Sequence, residues 1–221
     1  QLGVDCKVTS NDYHFPFLSL MTGKNMRTYL KNMLGEVRLE DFWVNTYCVS
    51  TNYSSASIEV HDTGLARHKV EASIAIPGVF PPVIIDKHLH VDGGVLDNLP
   101  IEAMYKKPVR HVIAIALSAQ SPRMVDIKTV PSAWEIFLNI FTKKHRYRLP
   151  KMPALLMNSL TLNSLQKQET TKKQVAIYLE MDLRAYGLLD WAKWREVIDK
   201  GYEQTRTFLN GLPQAEQFWK R

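Results

Sequence analysis

At 221 residues, with 45% hydrophobic and 23% charged side chains, the chain is long enough to bury a substantial core and has the composition of one ordinary globular domain. Two cysteines, Cys6 and Cys48, exclude a disulfide framework, and no apolar run approaches the ~18–20 residues that span a bilayer as a helix. The formal charge of +6 suits an anionic partner such as a phospholipid surface or nucleic acid, although surplus Lys and Arg more often serve only to solvate a surface.

In chain order, "PFLSLMTGKNMRTYLKNMLG" predicts a turn at Thr22-Gly23 and a helix ending near Gly35. "FWVNTYCVSTN", rich in aromatic and β-branched residues, reads as a strand over 42–52, with a second strand at "SIEVHD". Cys48 falls inside that apolar run, where a buried, reduced thiol is expected, so the chain reads as belonging to a reducing, cytoplasmic compartment. Residues 66–75 can form a short helix that Pro77 must end. "VII" and "HLHV" flank Asp86-Lys87, a tight hairpin, and "VDGG" closes its second strand. "LPIEAMYKK" follows as a helix with Pro100 near its first turn. "HVIAIAL", 111–117, is a continuous apolar run of the kind covered on both faces in an α/β sheet. From about Val125 the sequence turns mainly helical: "PSAWEIFLNIF", "PALLMNSLTLNSLQKQETTKK", a strand at "QVAIYLEM", and a last helix in "DWAKWREVIDKGYEQTRTFLNGL". In that last helix Trp191, Trp194, Ile198, Thr205 and Phe208 fall near one stripe, which reads as a core face. The organisation is therefore residues 1–124 as one α/β part and 125–221 as a helical extension packed on the same domain.

The chemistry concentrates at Asp92-Gly93-Gly94. Two glycines after an aspartate permit backbone conformations closed to other residues and let another segment approach closely. Asn98, ahead of Pro100, is a candidate N-cap for the next helix. The product is a carboxylate fixed at the end of a strand, where open α/β sheets commonly carry binding and catalytic groups. An isolated Asp-Gly-Gly more often only caps a turn. His88, His90 and Asp92 share one face of their strand. Two histidines and one aspartate in a hairpin match a metal site weakly, so no metal and no cofactor is expected, and both histidines read as surface or strand-pairing residues.

"ASIAIPGVFPPV" followed by "VDGGVLDNLPIEAM" resembles the C-terminal block of the patatin-like phospholipases. "VTSNDYHFPFLSLMTGKNM", "LEDFWVNTYCVSTNYSSASIEVH" and "YLEMDLRAYGLLDWAKWREVIDKGYEQ" extend the resemblance to the bacterial branch related to neuropathy target esterase, over nearly the whole chain. The resemblance implies a three-layer α/β/α sandwich and lipid acyl hydrolysis by a serine–aspartate dyad without histidine. Asp92 would be its catalytic acid, with Gly93 and Gly94 forming the turn and Asn98 supporting it. It also implies a phospholipid or lysophospholipid substrate at a membrane surface. Asp97 departs from the asparagine usual in the family, which touches only local turn chemistry.

One element of that chemistry is not in the sequence. The ten glycines stand at 3, 23, 35, 64, 78, 93, 94, 187, 201 and 211, no two of them four apart, so there is no G-x-S-x-G nucleophile motif. Only Gly93 and Gly94 are adjacent, so no other glycine-rich turn offers an oxyanion hole. With Gln1 as first residue, the expectation is the acid-bearing part of a hydrolase whose N-terminal strands and nucleophile elbow lie elsewhere, a missing half that would be this chain's partner. Alone it would be inactive. The alternative is a lipid-binding module that has lost its nucleophile. The basic run Lys143, Lys144, Arg146, Arg148 and Lys151 is a candidate docking patch for anionic lipid. Nucleic acid is not expected as a partner, because only Tyr147 interleaves with those cations.

Overall fold

A computed structural model of the chain describes residues 19–118, 132, 134–135, 152–186 and 191–213, and over these the fold is α/β. Gly23 (φ +74°) opens helix α1 (Lys24–Leu34), and Gly35 (φ +53°) ends it by donating its N–H to the Lys31 carbonyl. The buried face of α1, Met26 and Leu30, packs with Met21, Val79 and Phe80. Strands β1 (Cys48–Asn52) and β2 (Ser57–His61) form an antiparallel hairpin. The strand expected over 42–52 is thus shorter by six residues. Its β2 partner ends at His61 opposite Cys48, so earlier residues have no ladder to join, and Trp43 and Val44 stand in solvent.

Helix α2 (Ala66–Ser73) stops four residues ahead of Pro77. Strands β3 (Val83–Ile85) and β4 (His88–Asp92) are joined through Asp86 and Lys87, both at positive φ (48° and 67°), the backbone of the tight hairpin turn expected there. The four strands form one antiparallel sheet in the order β2-β1-β4-β3. Ala72 and Ala75 pack on Val83 and Ile85, so α2 covers one face. By strand alternation and register, that same face carries Ser50, Glu59, His61, His90 and Asp92.

Helix α3 (Ile101–Tyr105), strand β5 (Ile113–Ser118), helix α4 (Met152–Lys172), strand β6 (Ile177–Asp182) and helix α5 (Trp194–Gly211) complete the described elements. β5 and β6 pair in parallel, a pairing that requires a crossover connection, and helix α4 lies between them in the chain. Ile101, Val112 and Ala114 form their shared core with α3. β5 is not covered on both faces by the described residues. Ala114 and Ala116 are buried, but Ile113 and Ile115 are each 48% exposed and Leu117 is 64% exposed. Their β6 neighbours Ile177, Leu179 and Met181 are buried, because α5 packs beside β6 and its cover stops there. The stripe expected as core on α5 is correspondingly shallow: no residue of the helix is fully buried, and Ile198 is 59% exposed. Among the described residues no helix is long and apolar enough to cross a membrane. Cys6, most of the segment "PSAWEIFLNIF" and the basic run 143–151 lie outside the described residues.

Candidate active site

Asp92 is the last residue of β4, opposite Ser50 of β1, the two inner strands of the sheet. Its N–H donates to the Ala75 carbonyl (3.0 Å), tying the strand end to the chain that leaves α2. The Asp92 carboxylate Oδ1 accepts the Gly94 N–H at 2.7 Å. Burial raises the Asp92 carboxyl above the ordinary carboxylate value, and the Gly94 N–H pulls it partly back.

The two glycines serve one of the purposes expected of them. Neither has a positive φ, so no special backbone conformation requires them. What requires Gly93 is space: a Cβ there would lie 2.6 Å from the Val49 carbonyl oxygen of β1. At Gly94 a Cβ would meet Asp92 Oδ1 at 3.0 Å and Asn98 Oδ1 at 3.1 Å. Gly93–Val95 form one 3-10 turn, and this close seating lets the turn bring its amide to the carboxylate.

Asn98 is not the N-cap expected. α3 begins at Ile101 after Pro100, with no side-chain cap, because the intervening residues form a different turn: Asp97 Oδ1 accepts the Leu99 N–H at 3.0 Å. Asn98 instead donates its N–H to Ser164 Oγ of α4 (2.6 Å) and keeps its side chain beside Gly94. Asp97 proves to be more than local turn chemistry. It is 3% exposed, and its Oδ2 meets Lys167 Nζ of α4 at 2.5 Å, a buried carboxylate balanced across the fold. Ser164 and Lys167 therefore hold the loop after Asp92 in place. Both are 66 to 70 residues from their partners and carry no local signal in the sequence.

These residues surround a cleft of about 470 Å³, bordered by Tyr47, Cys48, Ser73, Asp92, Gly94 and Asn98 among others. The Tyr47 hydroxyl donates to the Pro100 carbonyl at 2.9 Å, which fixes one wall. Cys48 is a free, half-buried thiol pushed up to about 11 by burial, as expected of a structural rather than reactive cysteine. Ser73, at the end of α2, borders the same cleft and was not singled out from sequence, where it sits in an otherwise apolar stretch.

His88 and His90 part company. His88 is exposed at the hairpin, paired with Ile85. His90 does pair, with Val83 and Asn52, yet it is no surface residue: it is fully buried under α2, and its Nδ1 lies 2.8 Å from Ser50 Oγ. His61 reaches the same hydroxyl with Nε2, also at 2.8 Å. Burial pushes both imidazoles down, His61 to about 4, so both are neutral at ordinary pH.

The site is thus a carboxylate held by a backbone amide at a strand end, on the border of a cleft in an α/β scaffold. Residues 9–105 match the model of the patatin-like phospholipase family, and that segment belongs to it. The relationship runs further along the chain. It is 30% identical over 209 residues, 92% of its length, to lysophospholipase NTE1 of Eremothecium gossypii. It is 29% identical over 86% of its length to the NTE1 lysophospholipase of Meyerozyma guilliermondii, and 28% identical over 91% to that of Saccharomyces cerevisiae. The chain spans only a small part of these relatives, 14%, 14% and 12% of their respective lengths.

Proposed function

We propose that this chain carries the acid half of a serine–aspartate ester hydrolase acting on lysophospholipids or phospholipids, with Asp92 as general base. The observation that supports it most is the Asp92 carboxylate, held at one oxygen by the Gly94 amide on the border of the cleft. A carboxylate can accept further hydrogen bonds at its second oxygen, so one anchored oxygen leaves a partner for a hydroxyl. The relatives named lysophospholipase supply the substrate class.

In this reading a serine from elsewhere in the polypeptide approaches Asp92. The carboxylate takes the Oγ proton as Oγ bonds to the ester carbonyl carbon, and the proton passes to the departing alcohol oxygen as the old C–O bond breaks. Water then repeats the sequence on the acyl-serine. Gly93 and Gly94 act by position, keeping the amide and the carboxylate together, and Asn98 supports the turn through Ser164.

The test is turnover of a lysophospholipid and of a small ester by the longest natural polypeptide containing these residues. Asp92→Asn keeps the side chain's size but cannot accept the proton, and should lower turnover by ~10³-fold or more. His88→Gln should leave turnover unchanged. Wild-type rates in Asp92→Asn would overturn the proposal. Residues 1–221 alone should hydrolyse neither substrate above background; hydrolysis by them would move the nucleophile to a residue such as Ser73.

A further inference from the structure

The sheet face under α2 holds a second cluster, separate from the Asp92 carboxylate. Glu59 and His61 sit two apart on β2, and His90 on β4, with β1 running between the two strands. Ser50 is the β1 residue at the centre, and its hydroxyl meets one ring nitrogen of each histidine at 2.8 Å. The other nitrogen of each ring faces the Glu59 carboxylate: His61 Nδ1 lies 3.7 Å from Oε1 and His90 Nε2 lies 3.6 Å from Oε2.

Those two distances are too long for good hydrogen bonds, which fall near 2.7–3.2 Å. His90 Nε2, on a side chain 1% exposed, is in fact buried with no hydrogen-bond partner. They are, however, close to the separation of neighbouring ligands on a tetrahedral ion. Metal–ligand bonds of ~2.0–2.2 Å place such atoms roughly 3.3–3.5 Å apart. One ligand atom from each of the three residues lies within 4.8 Å of the others.

The hydroxyl explains the arrangement. Serine oxygen has two lone pairs, so Ser50 can accept the N–H of both imidazoles at once. In that tautomer both inward nitrogens present lone pairs toward a carboxylate. Three electron-rich groups converge, and a cation between them relieves what is otherwise mutual repulsion in a buried site. A fixed outer hydrogen bond on each ligating histidine is how metal sites set the tautomer and ring orientation.

We propose that Glu59, His61 and His90 bind one divalent ion of the zinc class, with Ser50 orienting both histidines. Two imidazoles and one carboxylate are a borderline donor set that suits zinc better than calcium or magnesium. Glu59, whose side chain is 38% exposed, is the side from which the ion enters and where a water completes its shell. The ion would clamp β2 to β4 across β1, and β4 ends in Asp92, so its role is to stiffen the strand that carries the carboxylate. The site does not depend on what Asp92 does.

Chelator-treated protein titrated with Zn²⁺ by calorimetry, and with Co²⁺ by visible absorption, tests this. The expected result is one equivalent bound per chain, intense tetrahedral Co²⁺ bands, and a raised thermal midpoint. Glu59→Gln, His61→Gln and His90→Gln should each weaken Zn²⁺ binding by more than ~100-fold, and Ser50→Ala by ~10–100-fold. Lys69, the α2 cation whose field reaches both imidazoles, opposes the ion, so Lys69→Gln should tighten binding several-fold. Glu59 is the informative variant if the buried ones misfold, because Asn52 Nδ2 can still bond the glutamine oxygen. No stoichiometric binding, or binding unchanged in folded Glu59→Gln, would overturn the proposal.

Discussion

The four-stranded sheet and the β5–β6 pair bury opposite kinds of residue. In the first, the inner strand is closed on both faces, and polar groups occupy its middle: Ser50, Thr51, Asn52, His61 and His90 are all buried. In the second, the apolar side chains Ile113, Ile115 and Leu117 stand outward, and the buried residues are the apolar Ala114, Ala116, Ile177, Leu179 and Met181. Burying apolar surface stabilises a fold at little risk, whereas each buried polar group costs free energy unless it is paired. A polar interior in one sheet beside an apolar exterior in the other is hard to explain by stability. It is explained if the first sheet is shaped by the Ser50–His61–His90 cluster and by the carboxylate at its end, and the second by something that covers it.

The sharpest way to break this contrast is at Gly93. Its Cβ position falls 2.6 Å from a backbone oxygen that cannot rotate away, so Gly93→Val should destabilise by about 3 kcal/mol or prevent soluble expression. Chemical denaturation measures it. A neutral result would mean the first sheet is as forgiving as the second.

Cys48 reports on the same wall of the cleft without altering its backbone. Its thiol, raised from 9.0 to about 11 by burial, should be roughly 100-fold poorer in thiolate at pH 8 than an unperturbed cysteine. In a Cys6→Ser background, alkylation should therefore be slow at pH 8 in the folded protein and fast in denaturant. Because the folded pKa is the higher one, the thiol's contribution to stability is complete below pH 9. It is lost as pH rises through about 11. Rapid alkylation of folded protein at pH 8 would place Cys48 in solvent.

The smallest effect is expected on the other sheet. Ile115→Lys, at a position 48% exposed, should change folding free energy by less than ~0.5 kcal/mol while reducing self-association. Light scattering and denaturation together read both quantities. A loss of several kcal/mol would show that β5 is covered after all.

What could be read from the sequence follows the same divide. Features set by a few neighbouring residues were legible: Gly35 ending α1, the Asp86-Lys87 turn, and the Asp-Gly-Gly at a strand end. The residues flanking that motif were less so. Asn98 looked like a helix cap because its neighbours suit one, but Asp97 takes the local turn and α4 claims the Asn98 amide. Nothing near Asp97 announces Lys167, and nothing in the hairpin announces that His90 faces Glu59 and His61. Those contacts depend on strand register and on a helix some seventy residues away. The extra length given to the strand over 42–52 has a similar origin. Propensity extends a strand until no partner remains, and the partner ends at His61.

The central claim is that the Asp92 carboxylate is kept for chemistry and at some cost to the fold. The unfolding free energy of Asp92→Asn at neutral pH tests it most directly. Asparagine retains an oxygen for the Gly94 amide and removes a charge that burial disfavours. The account predicts a gain of about 0.5–1 kcal/mol, within the range of stabilising replacements at functional sites. A loss of 1 kcal/mol or more would contradict it, because the carboxylate would then be holding the fold together.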